Sequence, residues 1–352
     1  MKRMFTNKLF KGAAEDYPDH KYGLKTFYEP SNAVFDIVFI HGITGHRENT
    51  WSVGNGARPW PETFLPTKIP DARIISFGYD ASVIGWRSGI SSNNITDHAK
   101  NLLTALGALR DADSSVMNPS ERPIVFVAHS LGGLVCEDAL LSSRTNVEIH
   151  LQRILKYTWG ILFLGTPHFG SSLAPVARRF ATLIKPTTRT NLQVLKVLSR
   201  DSEVLARIQN DFHSLLRSRT REGHQPIEII CFYEEVPFSG IGEIVPKRSA
   251  TLPGYAAIGI HSNHRNMARF ATDCDPGFVS VACELQRWAK EIRCLQGGAG
   301  TAGAVEISDR KENPCLTRSA TELGGITVWG NVIKSNVVAG DQTIYNGLTF
   351  TD

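Results

Sequence analysis

The stretch V-F-V-A-H-S-L-G-G, residues 125–133, decides the reading of this chain. An apolar run leads into Ser130, with Ala128 two places before it, Gly132 two places after it, and a helix-like segment beyond. This is the pattern G-x-S-x-G of a strand turning sharply into a helix, with alanine in the first small position. The turn pushes the hydroxyl out of the sheet, and neighbours two residues away must be small to let the chain fold back. At the helix N-terminus the Leu131 N–H and the helix dipole favour a developing oxyanion. The plain alternative is a serine that only caps a helix.

Working outward, the stretch has matching neighbours. V-F-I-H-G-I-T-G-H, residues 38–46, is an apolar strand ending in His41-Gly42 and a glycine-containing loop. Such a loop supplies a second oxyanion donor, with the Ile43 N–H first and Thr44 second. G-I-L-F-L-G-T-P-H-F-G-S, residues 160–171, is another strand, and its Thr166-Pro167-His168 is expected beside the serine. His41, Gly42, His129 and His168 are thus expected next to the pocket, with structural roles favoured for His41, His46 and His168. The general base belongs late in the chain, where H-S-N-H-R-N-M-A-R-F offers His264 and, as runner-up, His261. His264 is expected directly before an amphipathic helix carrying Met267 and Phe270. The acid is expected after a late strand. I-E-I-I-C-F-Y-E-E-V-P supplies Glu234 and Glu235, ahead of Glu243 and Asp273. A serine is a weak nucleophile until such a base takes its proton.

The rest of the chain alternates. Strands are expected at 24–28, 34–40, 73–79, 123–128, 157–164 and 226–232. Helices are expected at 95–109, 131–141, 173–184, 192–216 and, broken near Pro276, 265–292. Alternation of this kind implies a mostly parallel sheet with helices on both faces. Leu192, Leu195, Leu198, Leu205 and Ile208 are spaced to cap an acyl pocket or simply to pack in the core.

Composition narrows the classes. The 352 residues suggest two domains, or one large domain with an extension. A hydrophobic fraction of 42% with 20% charged residues excludes a wholly disordered chain. The net charge is only +4 and the basic residues are scattered, so no nucleic-acid partner is expected. No apolar run has transmembrane length, and no secretory leader is evident at the start. Six dispersed cysteines without a C-x-x-C pair point to a reducing compartment, with cytoplasmic location expected and no metal or other cofactor required.

The composition shifts at Gln296. Residues 1–23 read as an arm, 24–295 as the main domain, 296–322 as a flexible linker and 323–352 as a separate β-rich motif. In that last segment the only charged residues are Lys334, Asp341 and Asp352. β-branched residues, no proline, and Gly330, Asn331, Asn336 and Gly340 make it a template for cross-β stacking.

Taken together, residues 38–46, 125–133, 160–171 and 245–267 resemble the serine-esterase branch of the α/β hydrolases, similar to the GPI-inositol-deacylase-like group. The resemblance implies an α/β-hydrolase fold over residues 24–292 and hydrolysis of an ester or lipid substrate. It also implies Ser130 as nucleophile, His264 as base and Glu234 as acid, with Asn263 standing where many relatives carry Asp. G-N-V-I-K-S-N-V-V-A-G-D-Q, residues 330–342, resembles the sigma prion-forming motif of fungal lipase-like effectors. That second resemblance implies pairing with an NLR-type receptor, amyloid templating, and recruitment to a membrane surface on activation.

Overall fold

Alternate residues of the central strands point to opposite faces of the sheet, and both sets are mainly apolar, the buried Asp36 of β2 being paired with Arg73 of β3 at 2.8 Å. In β2 (Phe35–Ile40) all six residues are buried. Val38 and Ile40 enter one hydrophobic cluster, while Phe35, Ile37 and Phe39 enter the other. β3 (Ala72–Gly78) and β4 (Ile124–His129) are likewise buried throughout. A sheet covered on both sides therefore follows from the residues themselves.

The computed structural model describes residues 21–54, 56–81, 95–112, 121–168, 176, 178–180, 182 and 202–297, with backbone at 321–323 and 326–328. The sheet adds β1 (Gly23–Tyr28), β5 (Thr158–Leu164), β6 (Glu228–Glu234) and β7 (Ala256–Ile260). Its order is β1-β3-β2-β4-β5-β6-β7, with β1 antiparallel and every other pair parallel. On one face pack α3 (Ile95–Asp111), α4 (Gly132–Arg144), α5 (Ile149–Lys156) and α6 (Ser202–Arg221). On the other lie the short α1 (Trp60–Thr63) and α2 (Leu65–Lys68) and the long α8 (Pro276–Gly297). A single turn, α7 (Lys247–Ala250), lies between β6 and β7. This is the α/β-hydrolase fold.

Register carries the functional consequence. Ile40 pairs with Ala128, so the loop after β2 leaves the sheet level with the turn after β4. His129 pairs with Leu164, Leu164 with Phe232, and Glu234 with Ile260. The parallel strands β2, β4, β5, β6 and β7 thus end on one edge. Chain order reverses between β2 and β4, the place where open α/β sheets leave a crevice.

Several expectations are corrected. β7 was not anticipated: A-A-I-G-I is short, carries small residues and a glycine, and is half-exposed at the sheet edge, so it lacks a buried strand's apolar run. The helix expected from residue 265 starts only at Pro276, where proline suits the first turn. Before it stands one 3-10 turn, Asn266–Ala268. Ile208 is buried in the core against the sheet, not over a pocket. Leu192, Leu195, Leu198 and the side chain of Leu205 lie outside the described residues.

The chain divides into two compact units, Met1–Thr301 and Ala302–Asp352. In the first, α8 runs to Gly297, past the expected linker start at Gln296. In the second, Thr321–Leu323 pairs antiparallel with Ile326–Val328, so a short strand occupies the end of the expected linker. Gly330, Asn331, Asn336 and Gly340 lie outside the described residues. Among the described residues no helix is long and apolar enough to cross a membrane.

Candidate active site

Ser130 directly follows β4 with φ +57, a left-handed conformation rare for a residue with a side chain. Its N–H is held by the Leu164 carbonyl at 2.8 Å. The small neighbours are needed because other backbone crowds the turn. A Cβ on Gly132 would meet the His41 and Ile40 carbonyl oxygens at 2.3 and 2.6 Å, and one on Gly42 would meet Ser130 Cβ at 2.5 Å. Gly133 faces Thr166 just as closely, at 2.2 Å. These tight contacts are with the end of β2 and with Thr166 after β5.

His264 comes from the loop after β7, and its Nε2 lies 3.0 Å from Ser130 Oγ. Asn263 shapes that loop: its side-chain oxygen accepts the Asn266 N–H at 3.0 Å and its carbonyl accepts the Met267 N–H at 2.9 Å. Asn263 caps one turn as an aspartate would. A carbonyl can only accept, so His129 Nε2 donates to the His264 carbonyl at 2.9 Å. Burial lowers the His129 pKa to about 4 and holds His264 well below its ordinary value, so both rings are neutral near pH 7. Phe180 packs edge-on against His264 at 5.2 Å. Gly165, at φ +61, leaves room for the ring; a Cβ there would lie 3.0 Å from His264 Cε1 and Nδ1.

Glu234 ends β6, buried. Its Oε1 accepts the Val245 N–H at 2.6 Å and stands 3.7 Å from His264 Nδ1. That separation is too long for a hydrogen bond, and among the described residues His264 Nδ1 and Glu234 Oε2 have no hydrogen-bond partner. Burial pushes the Glu234 pKa up to about 7, opposed by the Val245 N–H. The alternatives sit elsewhere. Glu235 pairs with His261 at 3.6 Å on the surface, where His261 is 87% exposed, and neither faces Ser130. Asp273 pairs with Lys68 at 3.1 Å. Among the acids and bases proposed from sequence, only Glu234 and His264 are brought to the serine.

The two candidate donors after β2 differ in their contacts. Thr44, at φ +55, gives its N–H to Ala81 at 2.9 Å. The N–H groups of Ile43 and Leu131 have no acceptor among the described residues. Gly45 N–H to the Gly42 carbonyl closes the turn that presents Ile43.

His41, expected beside the pocket, is buried behind the loop. It stacks on Tyr79 at 4.3 Å, accepts the Tyr79 N–H at Nε2 and donates from Nδ1 to the Gly42 carbonyl. Burial lowers its pKa to about 3, so it acts as a neutral strut. Gly42 touches Ser130 but leaves the cavity wall to Ile43, Thr44 and His46. His168, also expected beside the serine, faces the α4 side. Its Nδ1 lies 3.2 Å from Glu137 Oε1, and its N–H donates to the Ser249 carbonyl at 2.7 Å.

A cavity of about 590 Å³ opens over Ser130 and His264. His129 and Phe180 line it, with His46, Asn49, Thr50 and the arginines Arg265 and Arg269. Sequence reasoning missed Phe180, Arg265 and Arg269 as lining residues. The arginines stand one and five places after His264, so their neighbourhood was the available signal. Among the described residues no group of three or more His, Cys, Asp or Glu is placed to hold a metal ion.

No protein-family profile matches the chain. The protein SERAC1 of Homo sapiens is 29% identical over 290 residues, covering 76% of this chain and 41% of SERAC1. The chain thus spans about two-fifths of the length of this relative. Among solved structures, carboxyl esterase 2 from the mycorrhizal fungus Tuber melanosporum aligns with TM-score 0.43 and 15% identity, covering 80% of this chain and 89% of that one. Esterase B from Lactobacillus rhamnosis aligns with TM-score 0.42 and 11% identity, covering 80% of this chain and 89% of that one. None of these matches supports the expected effector role, receptor pairing or prion-type tail.

Proposed function

We propose that the chain is a serine hydrolase of carboxylic esters with Ser130 as nucleophile. The observation that carries the reading is the 3.0 Å contact between His264 Nε2 and Ser130 Oγ on a strained turn. A neutral imidazole with its proton on Nδ1 has a free lone pair at Nε2. Ser130 Oγ attacks the ester carbonyl while that lone pair takes the hydroxyl proton. The resulting imidazolium is stabilised by the Glu234 carboxylate on the Nδ1 side, a pair that tightens as charge develops. The carbonyl oxygen becomes anionic between the Leu131 and Ile43 N–H groups, whose lack of other acceptors supports that role. His264 then protonates the departing alcohol, leaving an acyl-serine. Water, deprotonated by the same nitrogen, releases the acid and restores Ser130.

The test compares purified wild type with Ser130→Ala on 4-nitrophenyl butyrate and a longer-chain homologue. The wild type hydrolyses them, and the variant falls by about 10³-fold or more. Equal rates would refute the assignment.

A further inference from the structure

Among the described residues, the cavity over Ser130 is lined by two arginines and no carboxylate-bearing side chain. Arg265 and Arg269 both contribute to its wall, and neither has an acidic partner among the described residues. Two carboxylates close by in the chain are engaged elsewhere: Glu48, next to the Asn49 that Arg269 contacts, with Lys25 at 3.1 Å, and Asp273 with Lys68 at 3.1 Å. Arg269 is half-buried. One of its terminal nitrogens donates to the Asn49 carbonyl at 3.1 Å, while its Nε is buried with no partner among the described residues. Burial and the neighbouring Arg265 charge both depress the Arg269 pKa. Two like charges side by side, one with an unused buried donor, form an arrangement that an anion would complete. Polar groups from His46, Asn49 and Thr50 line the same space.

From this we infer that Arg265 and Arg269 form an anion subsite, and that the ester cleaved at Ser130 carries a phosphate or carboxylate on its non-reacting part. The inference rests on the proposed hydrolase reading. Arginine suits the task because its planar fork meets either anion with two parallel donors. The substrate's negative charge sits beside His264 as well, where it supports the imidazolium formed in each acyl-transfer step.

Two matched substrate pairs separate the sources of charge. One compares 4-nitrophenyl butyrate with the mono-4-nitrophenyl ester of glutaric acid, placing a carboxylate on the acyl side. The other compares 1-butyrylglycerol with its 3-phosphate, placing a phosphate on the alcohol side. The wild type is expected to favour the anionic member of at least one pair by about tenfold in kcat/KM, the size of one charge-assisted contact. That ratio falls to about one in Arg265→Gln/Arg269→Gln and is partly kept by Arg269→Lys. Because Arg265 makes no hydrogen bond in the described structure, Arg265→Gln alone lowers the ratio without a folding defect. Binding of inorganic phosphate to Ser130→Ala, followed by calorimetry, needs no turnover; it is expected to be lost in the arginine variants. Ratios near one for both pairs in the wild type would overturn the subsite, as would phosphate binding untouched by the double variant. An absence of all hydrolysis, with phosphate binding still dependent on the arginines, would overturn the hydrolase reading and leave the anion site standing.

Discussion

Glu234 Oε1 accepts the Val245 N–H at 2.6 Å yet stands 3.7 Å from His264 Nδ1, so the carboxylate faces the imidazole without being bonded to it. Burial raises its pKa from 4.5 to about 7, so the carboxylate needed to stabilise an imidazolium forms only near neutrality. Activity is therefore expected to rise with pH on a limb centred near 7, belonging to the Glu234–His264 pair. Glu234→Gln keeps the Val245 contact and loses the charge. It lowers kcat by about 10²- to 10⁴-fold and removes that limb, as a pH–rate profile would read.

The same group makes a stability prediction. Its folded pKa exceeds its ordinary one, so its contribution is fully present below about 4.5 and is lost as pH rises through about 7. The loss amounts to about 3 kcal/mol. His264 works in the opposite sense, its lowered pKa costing stability as pH falls below 6.5. The difference between Glu234→Gln and wild type isolates the carboxyl. Urea unfolding should show the variant gaining on the wild type between pH 4 and pH 8.

Ser130 is held at φ +57, where a Cβ is strained and glycine is not. Ser130→Gly and Ser130→Ala both lack the nucleophile. The glycine variant is expected to be the more stable by about 1 kcal/mol, measured by denaturant midpoint.

At Gly132 the contact is with rigid backbone: a Cβ would sit 2.3 Å from the His41 oxygen. Gly132→Ala must move the end of β2, and the Ile43 donor with it. A loss of about 3 kcal/mol or more in stability, together with most of kcat, is the expected result.

His129 ties the elbow to the base through the His264 carbonyl at 2.9 Å. His129→Phe keeps the ring and loses the bond. A fall in kcat of about tenfold to 10²-fold is expected, with KM for a neutral ester little changed. A parallel rise in KM would place His129 in substrate binding instead.

How much of this was legible in the sequence depends on what each residue touches. The elbow could be read because its constraint is local: an apolar strand, a serine and small neighbours within nine residues. β2, β4 and β5 could be read because full burial on both faces writes a continuous apolar run. The ordering of Ser130, Glu234 and His264 along the chain narrowed the acid and base. The choice between Glu234 and Glu235 lay in the pleat, which sends one side chain inward to Val245 and the next outward to His261. Ile43 and Thr44 were separated only by the Ala81 carbonyl, a contact across the sheet edge. β7 and the turn at Asn266–Ala268 went unread because an exposed edge and a single capped turn leave no periodic pattern. Arg265 and Arg269 carried no separate signal in the sequence, because only the cavity brings them into one wall.

The central claim is that Ser130 is the nucleophile, and active-site labelling tests it most directly. Wild type treated with a fluorophosphonate, digested and examined by mass spectrometry should carry one adduct, on Ser130. Ester hydrolysis should fall in proportion to its occupancy, and His264→Ala should label far more slowly. An unmodified Ser130 in protein that continues to hydrolyse esters would contradict the account.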